Sequence, residues 1–78
     1  MSELKRLRWR CRRGVLELDV LLLRYLDRRY PLADEAEKAQ FIQLLSLEDS
    51  DMLRCLLGER APAAEVAQIV ALIRALPA

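Results

Sequence analysis

The chain has no histidine, and that absence removes the side chain most used for acid–base chemistry near neutral pH. It has two cysteines, Cys11 and Cys55, too few for a four-thiolate zinc site and without an imidazole to complete one or to act as a base. Arg10, Arg12 and Arg54 adjoin them and could depress a thiol pKa, yet free cysteines are commonly buried, and packing is the reading favoured for both. A disulfide between them is not expected in a chain that shows no signal peptide. Two glycines and no strand pattern leave nothing resembling a Gly-rich phosphate loop. Apolar runs are short: Val20–Leu23 is closed by Arg24, against the roughly 20 residues a membrane helix needs. The basic N-terminal segment is not followed by an apolar stretch and cleavage site, so a cytoplasmic protein is expected. Glu48, Asp49 and Asp51 lack the alternating ligands and turn glycine of a calcium loop and read as a helix-start cluster. Catalysis by this chain alone, a metal and a tightly held cofactor are therefore not expected.

What is present is apolar and charged material in the proportion of a helical globule. In 78 residues, 54% are hydrophobic and 32% charged, which argues against disorder and for one domain spanning residues 1–78. Stability has to come from packing. Ser2 caps a first helix with Leu4, Leu7 and Cys11 at helical spacing, ending near Arg12 or Arg13 before Gly14. A second helix runs from about Val15 to Arg29, with Leu18, Leu21, Leu22, Tyr25 and Leu26 on its apolar face, and Pro31 closes it. Asp34 and Glu37 form a D-x-x-E capping box for a third helix from Glu35, with Phe41, Leu44 and Leu45 inward. A short fourth helix from about Ser50, capped by Asp49, is expected to bury Leu53, Leu56 and Leu57 and to stop at Gly58. Pro62 suits the first turn of a fifth helix, whose stripe is Val66, Ile69, Val70 and Ile73. The fold class is all-α, a single bundle of five short helices.

Charge is unevenly placed. Residues 1–14 hold six basic residues and one acid, a balance of +5, against −4 for the remainder. Arg6, Arg8, Arg10, Arg12 and Arg13 fall within eight positions, and a continuous helix would put Arg6, Arg10 and Arg13 on one face. R-G-x-x-E, Arg13 to Glu17, has two readings. It is a helix start, with Gly14 as cap, Glu17 reaching back and Arg13 pairing with Glu17; or it is a docking site, where a glycine beside a cationic cluster permits close approach. Trp9 is read as a core anchor, with an interface aromatic as the alternative. Nucleic acid is a weaker candidate partner than protein, because the rest of the chain is acidic and the pI is near 7.8.

Trp9, Cys11, Arg12, Arg13, Gly14, Glu17, Leu18 and Asp19, in the pattern W-x-C-R-R-G-x-x-E-L-D, resemble the signature of the SdhE family of bacterial FAD assembly factors. Tyr30, the D-E-x-E-K segment from Asp34, Phe41 with Leu44 and Leu45, the E-D-x-D-x-L turn from Glu48, and Gly58 extend the likeness over roughly residues 4 to 74. Cys55 departs from it, standing where relatives often carry tryptophan. The resemblance implies a five-helix bundle that binds the flavoprotein subunit of succinate dehydrogenase, and in bacteria also that of fumarate reductase. It implies that the chain promotes covalent attachment of FAD to a histidine of that subunit, with FAD bound by the partner. By position, Arg13, Gly14 and Glu17 would centre the contact, with Asp19, Arg6 and Arg10 beside them. The alternative class is a regulatory or antitoxin-like binding module, with arginine-mediated nucleic-acid binding as its variant.

Overall fold

In the computed structural model, which describes residues 2–77, the Ser2 hydroxyl accepts the Lys5 N–H at 3.2 Å and starts α1, Glu3–Arg10. The others follow in the order read: α2, Leu16–Arg28; α3, Glu35–Leu45; α4, Asp49–Leu56; and α5, Ala67–Ala75. Single 3₁₀ turns at Tyr30–Leu32 and Ala64–Val66 lead out of α2 and into α5. The described residues include no strand, and no helix among them is long and apolar enough to cross a membrane. α5 packs against α2, α3 and α4, while α2 also touches α1 and α4, so α2 and α5 hold the centre.

The inward faces are those the apolar spacing implies in α2, α3 and α5. Leu18, Leu22, Tyr25 and Leu26 are buried from α2, and Phe41, Leu44 and Leu45 from α3. Val66, Ile69, Val70 and Ile73 form the buried stripe at the C-terminal end. Fully burying a side chain of this size stabilises by about 1.5–3 kcal/mol before the cost of ordering it. Tyr25 and Phe41 pack with ring centroids 4.6 Å apart, and Tyr30 closes the group at 5.8 Å from Phe41.

Three local expectations are corrected. Asp49 is the first residue of α4 and Glu48 its cap, and the buried stripe is Met52, Cys55 and Leu56, so that Leu56 stands as expected while Leu53 and Leu57 do not. Leu53 is only partly buried, and Leu57, at the helix end, is 45% exposed. Methionine and cysteine are apolar enough to take core positions that the leucine spacing alone assigned elsewhere. Pro62 precedes the fifth helix rather than entering its first turn, because the Ala64–Val66 turn intervenes. Gly58 does end α4: at φ 80° it lets Glu59 N–H reach Arg54 O at 2.8 Å and its own N–H reach Cys55 O at 3.1 Å. This paired closure is the Schellman arrangement, which favours glycine because other residues are strained at positive φ.

The third correction concerns Glu37. Asp34 does cap α3, accepting the Glu37 N–H at 2.8 Å, but the Glu37 side chain does not reach back. It is buried, accepting the Tyr25 O–H at 2.6 Å and both Arg29 Nε and Arg29 Nη2 at 3.1 Å. A buried carboxylate must be paired, and these partners supply what the capping box would have left undone. The Arg29 hydrogen bond, more than burial opposes it, holds the Glu37 carboxyl below its ordinary value of 4.5. A depressed carboxyl stabilises the fold above its unfolded pKa, and that contribution is lost as pH falls through the folded value, here below the ordinary glutamate range. Glu37→Ala is expected to cost about 1–3 kcal/mol at pH 7, since it leaves the Tyr25 hydroxyl without its acceptor. Urea unfolding followed by circular dichroism between pH 7 and 3 should show a steeper acid loss for the native chain than for the variant.

Candidate functional site

α1 is held to the bundle by one face. Leu7 and Cys11 enter the core, the Arg8 guanidinium pairs with Asp27, and the Tyr30 O–H donates to Glu3 at 2.6 Å. Burial first, and then this carboxylate, push the Tyr30 phenol up to about 12. The opposite face carries Trp9, 75% exposed, with Lys5, Arg6 and Arg10 around a shallow apolar hollow. Trp9 is therefore a surface aromatic and not a core anchor. Two positions from Leu7 on a helix is a rotation of about 200°, so the inward spacing of Leu7 and Cys11 already turns Trp9 away.

The turn between α1 and α2 carries the motif. α1 stops at Arg10 with Cys11 as its cap, so Arg12 and Arg13 lie in the turn and the shared face expected for Arg6, Arg10 and Arg13 is not formed. Gly14 adopts φ 85°, a left-handed conformation that reverses the chain, and a Cβ there would meet nothing within 4 Å. Glycine is thus favoured by the backbone, while the space over it stays open. Val15, not Gly14, caps α2, and its side chain makes no capping bond. The carboxylate that reaches back is Asp19, whose Oδ1 accepts the Arg13 N–H at 2.7 Å. Glu17, read as the residue that reaches back and pairs with Arg13, instead stands exposed in the first turn of α2.

Arg13 turns inward. Its Nε donates to Asp49 Oδ1 at 2.7 Å, Nη1 to Leu45 O at 3.1 Å and Arg10 O at 3.3 Å, and Nη2 to Leu47 O at 3.1 Å. Four of the guanidinium's five N–H groups are thereby used. Arg10 and Leu45 end α1 and α3, where carbonyls have no helical partner, and Asp49 opens α4. One cation meets the electron-rich ends of two helices, which favours their dipoles, and pairs with an acid that itself favours the start of a third. The Arg13 side chain is 20% exposed, so these bonds are less screened than an open surface pair such as Arg60–Asp51.

The motif is thus divided. Gly14 and Glu17 face outward, Arg13 and Asp19 face inward, and Arg6 and Arg10 lie exposed on α1 beside the turn. Among the described residues, Glu17, Arg6 and Arg10 have no side-chain hydrogen bond within the chain, which leaves their charges available. Next to Glu17, the exposed side chains of Leu16 and Val20 meet Leu57 and the partly buried Leu21 in a shallow apolar hollow. Sequence reasoning missed Asp49 as the partner of Arg13. The two are 36 residues apart, and nothing in the local pattern of either announces the other.

Cys11 and Cys55 are both free and buried, as read. The neighbouring arginines do not activate Cys11: burial outweighs Arg8, Arg13 and Arg10 and pushes its thiol up to about 11. No group of three or more potential ligands for a metal ion occurs among the described residues. Under native conditions at pH 7.5 both thiols are expected to resist a disulfide reagent such as dithionitrobenzoate. Two equivalents should react promptly in 6 M guanidinium, followed by absorbance at 412 nm.

A family model described as flavinator of succinate dehydrogenase matches residues 5–77. The FAD assembly factor SdhE of Xylella fastidiosa is 47% identical to this chain over 78 residues, covering 99% of this chain and 80% of that one. The protein of the same name from Methylococcus capsulatus is 44% identical over 77 residues, covering 97% and 93%. That from Shewanella oneidensis is 39% identical over 75 residues, covering 95% and 92%.

Proposed function

The chain belongs to the family of succinate dehydrogenase flavinators, the FAD assembly factors, and from that premise we propose that it binds the flavoprotein subunit of succinate dehydrogenase and promotes its covalent flavinylation. The observation that carries the reading is the outward presentation of Gly14 and Glu17 on a turn flanked by exposed Arg6, Arg10 and Trp9. A partner surface can approach the Gly14 backbone closely, since no side chain of this protein stands over it. Glu17 then offers a carboxylate to a cation or backbone N–H, and exclusion of water by Leu16, Val20 and Trp9 strengthens that contact.

In this reading the chain acts by binding, as a chaperone rather than an enzyme. FAD is held by the flavoprotein, and the bond to the cofactor forms on a histidine of that subunit, so the small protein needs no acid–base residue of its own. Its contribution is to stabilise the arrangement of the subunit in which flavin and histidine meet, which lowers the barrier by orientation. The flavoprotein of fumarate reductase is a second substrate in the same reading. The site of action is the cytoplasm, where FAD and the newly folded subunit are available together.

The test is covalent flavin fluorescence of the cognate succinate dehydrogenase flavoprotein on a denaturing gel, produced with and without this chain. Labelling is expected to depend on the chain and to fall severalfold with Glu17→Ala. Gly14→Arg should abolish the complex while leaving the helical circular dichroism largely intact, because the strain at positive φ is only about 1–2 kcal/mol and the added side chain points into open space. Equal labelling in all samples, with no complex on co-purification, would remove this function.

A further inference from the structure

The Gly14–Glu17 surface has little of its own to hold it in place. Gly14 has no side chain and touches nothing where one would be, Val15 and Leu16 are exposed, and the cap of α2 makes no side-chain bond. On the C-terminal side Leu18 is fully buried and fixes where α2 begins. On the N-terminal side the position of the turn is set by Arg13, whose N–H is held by Asp19 and whose guanidinium is held by Arg10 O, Leu45 O, Leu47 O and Asp49. Three of those four acceptors belong to the end of α3, the linker that follows it and the first residue of α4.

We propose that Asp49, with the carbonyls of Leu45 and Leu47, forms a socket that positions Gly14 and Glu17 for the flavoprotein by anchoring Arg13. The inference rests on the function proposed above and adds to it a distant positioning residue and a different role for the arginine of the motif. Arg13 is then not a contact to the partner: a guanidinium with four N–H groups engaged and its side chain largely covered has one donor left to offer. Asp49 is the acceptor that confers direction, since it takes Nε at the shortest of the four distances and is the only charged one. Lysine could replace the charge at position 13 but not the fork that spans a carboxylate and carbonyls on separate elements.

The two roles for Arg13 predict opposite signs. If Arg13 serves the partner directly, removing the Asp49 charge frees it and leaves binding unchanged or tighter. If Asp49 positions the turn through Arg13, the same change weakens binding. The experiment is calorimetric titration of the cognate succinate dehydrogenase flavoprotein subunit, with FAD present, by the native chain, Asp49→Asn, Glu17→Ala and the double variant, at a temperature where circular dichroism shows each fully folded.

Asp49→Asn is expected to weaken binding about tenfold, a coupling of ordinary size. It should weaken binding by less than about threefold once Glu17 is already alanine, because the carboxylate whose placement matters most is gone and only the approach at Gly14 is left to position. Arg13→Lys should reproduce the Asp49→Asn loss. Unchanged or tighter binding by Asp49→Asn would overturn the inference while leaving the proposed function standing. So would a full tenfold loss in the Glu17→Ala background, which is what general structural damage would give. Failure of the native chain itself to bind would overturn the proposed function, and the positioning role with it.

Discussion

The guanidinium of Arg13 ties together chain ends that a small helical bundle otherwise leaves open. Each helix here is between 8 and 13 residues long, so a large share of its backbone polar groups lies in the terminal turns, where the helix cannot satisfy them. One planar cation with several fixed donors can serve carbonyls from α1, α3 and the α3–α4 linker at once and still take a carboxylate from α4. The Arg13 N–H, donating to the Asp19 carboxylate, completes the junction with α2. Four of the five helices therefore meet at one residue of the turn that presents Gly14 and Glu17.

That junction accounts for the division of the R-G-x-x-E motif. The glycine and the glutamate are oriented to water by the same geometry that draws the arginine in, since Leu18 and Leu22 commit α2 to one face and Gly14 reverses the chain at positive φ. The cations left over, Arg6 and Arg10, remain beside exposed Trp9 on a helix whose other face is anchored by Leu7, Cys11 and the Glu3–Tyr30 bond. The outcome is a packed base carrying a polar, partly aromatic surface, which suits the proposed role of holding a flavoprotein subunit in a productive arrangement.

Much of the fold was legible because helix spacing and capping are local. The stripe from Val66 to Ile73, the Asp34 cap and the Gly58 stop are each written within a few residues, and each stands where it was read. What failed depended on a partner distant in sequence. The D-x-x-E spacing points Glu37 to a capping box because its bonds to Tyr25 and Arg29 are tertiary facts. Local spacing offers Arg13 only Glu17, four residues on, because Asp49 is far along the chain. Trp9 and the α4 stripe were different errors: the helical rotation from Leu7, and the apolar character of Met52 and Cys55, were available signals that the preference for a buried tryptophan and for leucine overrode. The resemblance singles out Arg13, Gly14 and Glu17 alike, and nothing in it separates the outward pair from the inward arginine.

In the proposed complex Gly14 and Glu17 meet the partner while Arg13 stays bound inside. The most direct test of this arrangement is the nitrogen-15 spectrum of the labelled chain, deuterated for size, titrated with the flavoprotein subunit. The Gly14 and Glu17 amide signals are expected to move on binding while the Arg13 Nε–H signal persists near its free position, still protected from solvent exchange. Displacement or loss of the Arg13 Nε–H signal with the Gly14 and Glu17 amides unmoved would contradict it.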